Sequence, residues 1–519
     1  MKKIQLIMTA ILLAVVPAAA QETYENAKIA AEDLNGTARY VGMGGAMDAL
    51  GADISTISTN PAGIGLFRSS SVSVSFGGVS QQDASNFASA NKTNMSFDQA
   101  GFVWSSRSGR NGFLNIGVNY HKSRNFDMIL SAADRLDNAS QNKLTYAKAM
   151  NGLLYPTHQA SDGNYVPDFD RAYITCNQLD DIYARNLNFD TTDNTWYYND
   201  ANSYTFDRGH KGYVGEYDFN ISGNINDRVY LGLTVGLHDV KYRHYSEYKE
   251  QLEDLSLTVS DERNIDGYGY DVKAGVIFRP VEASPFRIGF SVATPIFYDL
   301  KTENLTSVSD GSTTVWNGEK YDFKLYTPWK FGVSMGHTVG NMLAIGASYE
   351  FADYAHLDTR YNTGDYYDYW YDSYYSSSSS DNVMNDHTKQ TLKGVSTLKV
   401  GAELKPDKDF AIRLGYNYVS PMYQKDGFKD GALDTDGSYY SSATDYTNWN
   451  ATNRITCGFG YNIGQLSLDL AYQYSSTSGN FSPFASYYDN KYPEADNVCN
   501  EVKVNFKRHQ LLFTAGYRF

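Results

Sequence analysis

The sequence predicts an all-β protein, a 14-stranded antiparallel transmembrane β-barrel with an N-terminal hatch (plug) segment inside the lumen. Three observations support this prediction. Apolar and polar residues alternate with a period of two along many stretches of the chain, which is typical of strands with two different faces. The connections between these stretches are short at one end and generally long at the other, as in outer-membrane barrels. After the N-terminal leader, no apolar run approaches the roughly 20 residues that a membrane helix needs.

The first twenty residues have the pattern of a signal peptide. Lys2 and Lys3 precede an apolar run from residue 4 to about residue 16, and small residues follow up to Ala20. We therefore predict a signal peptide at 1–20 and a mature chain that begins at Gln21 and leaves the cytoplasm.

The composition favours one large domain without a nucleic-acid partner. No Pro-rich linker or change in charge divides the 519 residues. The formal net charge of −15 argues against nucleic acid, because neutralising phosphate requires clustered Lys and Arg. Three cysteines are too few for a disulfide scaffold of this size, and a bridge between Cys176 and Cys499 is left open.

The barrel is predicted to occupy residues 69–519. In "LSLDLAYQY" (466–474), leucine and tyrosine side chains share one face, and polar or small side chains share the other. The predicted strands start near Ser71, Met95, Gly112, Tyr213, Arg228, Gly267, Phe286, Tyr321, Met342, Thr391, Phe410, Asn453, Leu466 and Val502.

Loop lengths decide between a barrel and a β-sandwich. The connections after even-numbered strands are short, including "NIND", "HTVGN" and "IGQ", and most connections after odd-numbered strands are long. Short periplasmic turns and long outer loops are typical of an even-stranded outer-membrane barrel. We predict long outer loops at 129–210, 361–389, 424–452 and 475–501.

Charge placement is a test of this assignment. An open sheet edge is not viable in hydrocarbon, so the strands must close on themselves. A lysine or arginine at the lipid midplane costs roughly 2–4 kcal/mol, so charged side chains should point inward. Lys273, Arg287, Lys399 and Arg413 all fall opposite the apolar series of their strands.

The C-terminal strand carries a further outer-membrane feature. The segment "HQLLFTAGYRF" alternates and ends on Phe519, which resembles the signal for the barrel assembly machinery. We therefore expect that machinery, lipid and lipopolysaccharide as partners in the bacterial outer membrane.

The hatch is residues 21–68, a segment rich in glycine and alanine that precedes the first strand. Asn60 can cap a turn whose first residue is Pro61, because proline lacks only an N–H that would be unsatisfied at that position. A 14-stranded lumen is too wide for side chains alone to fill, so we expect this segment to fold inside it.

Within the hatch, "ARYVGMGGAMDALGADISTISTNPAGI" resembles the N-terminal hatch of the FadL/TodX family of outer-membrane transporters of long-chain fatty acids and aromatic hydrocarbons. The resemblance rests on Gly44 and Gly45 and on Asn60, Pro61 and Ala62. It implies that Asn-Pro-Ala forms the hatch core. It also implies passive uptake of hydrophobic molecules, with sideways release at a kink in the third strand. The long second outer loop, 129–210, departs from the family pattern.

The third strand can be interpreted without the resemblance. Its alternation is regular up to Tyr120, whereas Lys122 and Arg124 fall at lipid-facing positions. Either the pairing bends there, as a gate region would, or the strand leaves the bilayer.

Three inward cations are candidate partners for a cargo carboxylate, namely Lys273, Arg287 and Arg413. The alternative is a lumen charge network in which they pair with acidic residues of the wall. The acidic residues at inward positions are Asp271, Glu403 and Asp469.

Other functions remain open at this point. A general porin would need an open aqueous lumen, and haem uptake would need axial ligands, for which His238 and His244 are too far apart along one strand to act together. A surface adhesin or structural protein would explain the long Tyr/Ser/Asp loops equally well. We expect no enzymatic activity and no catalytic residues, because no specific set of nucleophile, base and orienting residue is marked. We also expect no cofactor and no metal.

Overall fold

Fourteen antiparallel strands form a closed barrel in the computed structural model. The structure describes residues 23–109, 112–150, 157–159, 165–167, 188–190, 195–252, 255–370, 373–430 and 443–519. The last strand pairs with the first, from Ser71 opposite Arg518 to Gln81 opposite Arg508, so the sheet has no open edge. The predicted fold class is confirmed.

Four of the fourteen strands are built from two segments each. The strands are β1 Ser71–Gln81, β2 Thr93–Arg107, β3 Phe113–Asn125 and Met128–Arg135, β4 Ala201–Ile225, β5 Val229–Leu252, β6 Ser256–Phe278, β7 Arg287–Ala293 and Phe297–Ser309, β8 Thr314–Tyr326 and Lys330–Val339, β9 Leu343–Asp353 and Asp358–Asp368, β10 Gly394–Leu404, β11 Phe410–Val419, β12 Tyr446–Ile463, β13 Leu466–Ser482 and β14 Val502–Arg518. Outside the barrel wall, Ser373–Ser380 pairs with β9, and two small hairpins join Thr157–Gln159 to Tyr165–Pro167 and Asn188–Asp190 to Thr195–Tyr197.

The helices lie in the hatch and in the outer connections. They are α1 Thr23–Ala30, α2 Ala38–Gly42, α3 Gln141–Met150 and α4 Asn382–Thr391, with 3-10 turns at Ile54–Ile57, Pro61–Leu66, Tyr354–His356 and Pro493–Ala495. No described helix is long and apolar enough to cross a bilayer.

The outside of the wall is an apolar belt. On β5, Leu231, Leu233, Val235 and Leu237 are each more than two-fifths exposed, whereas Thr234 between them is fully buried. A continuous apolar exterior of this kind is stable only against lipid.

The charged side chains predicted to point inward do so. Lys273, Lys399 and Arg413 are 7%, 6% and 4% exposed, and Arg287 is half-buried and contacts the hatch. All four side chains therefore point into the lumen, as predicted from their positions.

The strands extend further outward than the loop prediction allowed. β4, β5 and β6 are 25, 24 and 23 residues long, about twice the 9–11 residues that cross a bilayer. Consequently β3 runs on to Arg135 and β13 to Ser482, and β12 begins at Tyr446, inside the loops predicted at 129–210, 475–501 and 424–452. The prediction missed these residues because a strand above the bilayer faces no lipid and loses its apolar alternation, although its backbone ladder continues. The loop predicted at 361–389 likewise contains the end of β9, the strand Ser373–Ser380 and most of α4.

Two adjacent strands are interrupted by proline at the same height. Pro295 separates the segments of β7, and Pro328 separates those of β8. Proline has no N–H to donate to the ladder, so regular pairing breaks at these positions. The threonine before each proline keeps a contact with the neighbouring strand, because its hydroxyl accepts a backbone hydrogen bond. The Thr294 hydroxyl accepts from Val272 N at 3.0 Å, and the Thr327 hydroxyl accepts from Ile296 N at 2.8 Å.

Two predictions fall outside the described residues. The signal peptide, 1–20, is one of them, and the bridge between Cys176 and Cys499, left open above, is the other, because Cys176 is not among the described residues. Both remain predictions.

Candidate functional site

The hatch residues 23–67 lie against the lumen side of the barrel, and most of them are buried. Ala38 N donates to the Thr514 hydroxyl of β14 at 2.7 Å, and the Thr234 hydroxyl of β5 donates to Ile57 O at 3.0 Å. The segment is thus hydrogen-bonded to strands in widely separated parts of the sheet.

The Asn-Pro-Ala turn packs against glycines of the wall. Asn60 Oδ1 accepts from Ala62 N at 3.2 Å, and Pro61 is the first residue of the 3-10 turn, as the sequence predicted. A Cβ added to Gly232 would lie 2.3 Å from Pro61 C, and one added to Gly275 would lie 2.1 Å from Asn60 Oδ1. Backbone packing this close requires glycine in the wall.

Gly44 and Gly45 allow a second close approach. Their φ angles are +64° and +79°, in the left-handed region that favours glycine. A Cβ on Gly44 would meet Tyr416 N at 2.8 Å, and one on Gly401 would meet Met43 O at 2.2 Å. These glycines let the hatch backbone lie directly on β10 and β11.

The three cations predicted as carboxylate partners contact the protein itself. Arg413 pairs with Glu403 at 2.7 Å and with Asp469 at 2.6 Å, and Glu403 also pairs with Arg39 of the hatch at 2.9 Å. Arg287 donates to a hatch carbonyl, Leu50 O, at 3.1 Å.

Lys273 Nζ lies 2.5 Å from Glu216, 3.0 Å from Asp271 and 3.4 Å from Asp218. The lumen charge network given above as the alternative is therefore present for Arg413 and Lys273. A role of these cations in binding cargo stays an untested prediction.

A cavity opens between the C-terminal end of α1 and the wall. Its lining combines hatch residues with side chains of strands far apart in the sequence. The apolar and aromatic part includes Phe126, Met128, Tyr242, Met422, Tyr423 and Trp449. The cavity therefore has the apolar lining that a hydrocarbon chain requires.

One end of this cavity holds three guanidinium groups around a single carboxylate. Arg124, Arg454 and Arg508 lie 3.2, 3.3 and 3.4 Å from Asp33 Oδ1. Asn125 N donates to Asp33 Oδ2 at 3.0 Å. Burial by itself would raise the pKa of the Asp33 carboxyl, but the three guanidinium groups outweigh it and hold that pKa below its usual range. Around Asp33, three positive charges face one negative charge, so this end of the cavity is cationic. Over the whole lining, Lys28 adds a fourth cation and Glu32 and Asp127 add two carboxylates, which leaves a small positive excess.

Comparison with solved structures identifies the fold. A FadL homologue from Pseudomonas aeruginosa matches 94% of this chain and 99% of its own, with a TM-score of 0.53 and 12% identity. The chain has a FadL-type fold. The Ralstonia pickettii toluene transporter TbuX matches 94% of this chain and 99% of its own, with 13% identity and a TM-score of 0.47. The Pseudomonas putida toluene transporter TodX matches 94% of this chain and 100% of its own, with 10% identity and a TM-score of 0.48. No protein-family model and no curated protein matches the sequence.

This FadL-type barrel has a gap between β2 and β3. The two strands pair from Arg107 opposite Phe113 to Gln99 opposite His121, and pairing stops there. Both strands continue beyond this point, and a bulge at Ser123 shifts the register of β3 against β4. The irregularity predicted near Lys122 and Arg124 is therefore present, and the bulge brings Arg124 to Asp33 of the hatch.

The hatch covers this gap. Asn35 Nδ2 donates to Asp98 Oδ1 of β2 at 3.0 Å and to Lys122 O of β3 at 3.1 Å. Asp33 N donates to Ser123 O at 2.8 Å. Asp33 and Asn35 of the hatch thus donate to two carbonyls of β3 just beyond the point where its pairing with β2 stops.

The other gate candidates flank the gap. The Tyr120 ring stacks on Phe97 of β2 at 5.6 Å and packs on Tyr217 of β4 at 5.0 Å. Lys122 Nζ donates to the Ser96 hydroxyl of β2 at 2.8 Å. These side chains link β3 to β2 and β4 where the backbone ladder between β2 and β3 ends.

The two histidines considered for haem lie in separate surroundings. His238 is 3.3 Å from Asp271, whereas the His244 ring lies 5.1 Å from the ring of His210. They do not face a common site.

Sequence reasoning missed three of the four charged residues at the cavity end. It named Arg124 as a gate candidate but singled out neither Asp33, Arg454 nor Arg508. Arg454 and Arg508 do fall at inward positions of alternating strands, and that is the signal that could have found them.

Proposed function

We propose that this protein is a passive outer-membrane transporter for hydrophobic small molecules that carry an anionic end, with long-chain fatty acids as the cargo class. The cationic end of the cavity is the observation that carries the proposal. Arg454 and Arg508 are 6% and 5% exposed, and a guanidinium group pairs with a carboxylate in a well-defined geometry. Their shared acidic contact within the described residues is Asp33.

The apolar lining would bind the cargo chain. Each buried methylene contributes roughly 0.8 kcal/mol, so a long chain gains most of its affinity from Phe126, Met422, Trp449 and their neighbours. The guanidinium groups would fix the orientation of the molecule by its carboxylate.

Asp33 occupies the position that a cargo carboxylate would take. An incoming carboxylate would compete with Asp33 for Arg454 and Arg508. Displacing Asp33 would also release the hydrogen bond from Asp33 N to Ser123 O at the edge of β3. Binding at the cavity would thereby be coupled to the gap between β2 and β3, and the cargo would leave sideways through it.

Transport of this kind requires neither a catalytic residue nor a nucleotide, because cargo moves down its own gradient. The apolar belt supports a location in the bacterial outer membrane, with lipid and lipopolysaccharide around the wall.

Equilibrium binding of a radiolabelled long-chain fatty acid to the purified protein tests this proposal. We expect saturable binding that the matching fatty alcohol displaces poorly. The double variant Arg454→Met and Arg508→Met should lose at least tenfold in affinity for the acid and little for the alcohol. Arg243→Met is the matched control, because Arg243 forms an exposed ion pair with Asp266 on the outside of the wall.

Equal affinity of the double variant and the control for the acid would overturn the proposed headgroup site. Tight binding of the acid and the alcohol alike would instead indicate a neutral hydrophobic cargo.

A further inference from the structure

A second group of charged side chains lies in the lumen and is not part of the cavity. This buried carboxylate–histidine cluster is drawn from four adjacent strands, β3 to β6. Its members are His121, Glu216, Asp218, His238, Asp271 and Lys273. Each is between 0% and 8% exposed.

Three of these residues have the geometry of metal ligands. His121 Nε2 lies 3.5 Å from Glu216 Oε2, and His121 Nδ1 lies 3.5 Å from Asp218 Oδ2. One ligand atom from each of the three residues can be chosen so that all lie within 4.8 Å of one another. Zinc ligands at about 2.1 Å in a tetrahedron are separated by about 3.4 Å, so little movement is needed to enclose an ion.

Three polar atoms of the cluster have no hydrogen-bond partner among the described residues. Among the described residues, neither His121 Nδ1 nor Asp218 Oδ2 has a hydrogen-bond partner, and the 3.5 Å between them is too long for a good hydrogen bond. His238 Nδ1 is also without a partner, 3.9 Å from Glu216 Oε2. Buried polar atoms nearly always have a partner, so these atoms point to a ligand between them.

The charges of the cluster point to a divalent cation. Glu216, Asp218 and Asp271 supply three negative charges, and Lys273 is the one lysine or arginine within ion-pair distance in the described part of the chain. A divalent cation would balance the charge that Lys273 leaves on the three carboxylates. Uncompensated buried charge is strongly unfavourable.

The wall leaves room for the cluster at Gly236 of β5. A Cβ at this position would lie 2.2 Å from Asp271 Oδ1 and 2.8 Å from Lys273 Nζ. A larger residue would therefore displace the Asp271–Lys273 pair.

We propose that His121, Glu216 and Asp218 bind a divalent transition-metal ion, with Zn²⁺ as the best match to one imidazole and two carboxylates. His238 lies next to the site: its Nδ1 is 3.9 Å from Glu216 Oε2, and its Nε2 is 3.3 Å from Asp271 Oδ1. Lys273 pairs with all three carboxylates, most closely with Glu216, and offsets one of their three charges. The ion would link β3 to β4 at His121, the last residue of β3 that pairs with β2.

The sequence contains no metal-binding motif for this site. His121 and Glu216 lie on opposite sides of the long second outer loop, so the fold alone brings them together. The sequence alone therefore predicts no metal.

Isothermal titration with Zn²⁺ of the tag-free, full-length protein, stripped with a chelator, tests the proposal. We expect one ion per chain and, with Co²⁺, a visible absorption band typical of nitrogen and oxygen ligands. His121→Gln and Asp218→Asn should each weaken Zn²⁺ binding by at least about tenfold. Lys273→Met should tighten it, because its ammonium group competes with the metal for the same carboxylates.

His244→Gln is the matched control, since His244 is buried in the same lumen but has no carboxylate within ion-pair distance in the described ranges. It should bind Zn²⁺ as the unaltered protein does. Heat-modified migration on gels shows whether each barrel is folded. If His121→Gln and Asp218→Asn fold and keep full affinity, or if Lys273→Met binds no more tightly, the proposal is overturned. Fatty-acid binding is measured separately, so failure here leaves the cargo proposal intact.

Discussion

Asp33 Oδ1 of the hatch lies 3.3 Å from a terminal guanidinium nitrogen of Arg454, 421 residues later in the chain. Arg124 and Arg508 contact the same oxygen atom at 3.2 and 3.4 Å. One hatch carboxylate therefore connects three strands that do not all neighbour one another. This single group controls both the charge at the cavity end and the position of the hatch beside β3.

Replacing Asp33 should strengthen binding of anionic cargo. Asp33→Asn removes the internal competitor and leaves three guanidinium groups for the cargo carboxylate, so we expect about tenfold tighter binding of a long-chain fatty acid, or about 1.4 kcal/mol. Radioligand binding to the purified protein measures this change. Asp227→Asn, in an exposed pair with Arg68, is the control and should leave the affinity unchanged. Weaker binding in Asp33→Asn would contradict competition by Asp33.

Removing the Asn35 side chain should open the gap between β2 and β3. Asn35→Ala loses the hydrogen bonds to Asp98 of β2 and Lys122 O of β3, leaving the unpaired edge of β3 less well covered. We expect the initial rate of fatty-acid uptake into cells to rise several-fold while equilibrium affinity changes little. If the uptake rate is unaffected and affinity falls instead, Asn35 belongs to the binding site and not to the exit.

The barrel could be predicted because every residue of a membrane-spanning strand faces either lipid or the lumen. Lipid outside and polar groups inside impose a period of two, and the parity of Lys273, Lys399 and Arg413 follows from that rule. The cap of Asn60 on the turn at Pro61 involves only neighbouring residues, so it could also be predicted from the sequence.

The cavity end could not be predicted in the same way. Asp33, Arg124, Arg454 and Arg508 come from the hatch, β3, β12 and β14. Strand stagger and the path of the hatch determine which inward side chains meet across the lumen. Neither can be deduced from a local sequence pattern. For the same reason, the contact between His121 and Glu216 could not be predicted from the sequence.

Glu250 should make the outer helix α3 sensitive to pH. The carboxylate lies at the outer end of β5, beyond the bilayer, and accepts hydrogen bonds from Gln141 N at 3.0 Å and Asn142 N at 3.3 Å. Burial raises its pKa from 4.5 to about 7, although these hydrogen bonds oppose the shift. Because the folded-state pKa is raised, its stabilising contribution is complete below pH 4.5 and is lost as the pH rises through 7.

Hydrogen exchange should therefore show stronger protection of α3 at pH 5 than at pH 8. Glu250→Gln should remove this difference. Glu247→Gln should retain it, because Glu247 lies on the same strand but is half-buried and pairs with Lys249, not with α3. Protection that falls equally with pH in all three proteins, after correction for intrinsic exchange, would exclude Glu250 as the titrating group.

A single methyl group on the wall should dislodge the hatch core. In Gly232→Ala the new Cβ would lie 2.3 Å from Pro61 C and 2.5 Å from Ala62 N, so the backbone of the Asn-Pro-Ala turn must move. We expect the unaltered barrel to conduct small hydrophilic ions poorly in planar bilayers, and Gly232→Ala to conduct several-fold more. Gly223→Ala on β4 is the matched control, because its Cβ would meet only Phe113 O, at 3.9 Å, an ordinary contact.

High conductance in the unaltered protein would instead favour a general porin, since the packed hatch would then leave a continuous water path. Low conductance in both variants, with fatty-acid uptake retained, would show that the Asn-Pro-Ala turn tolerates displacement without opening the lumen.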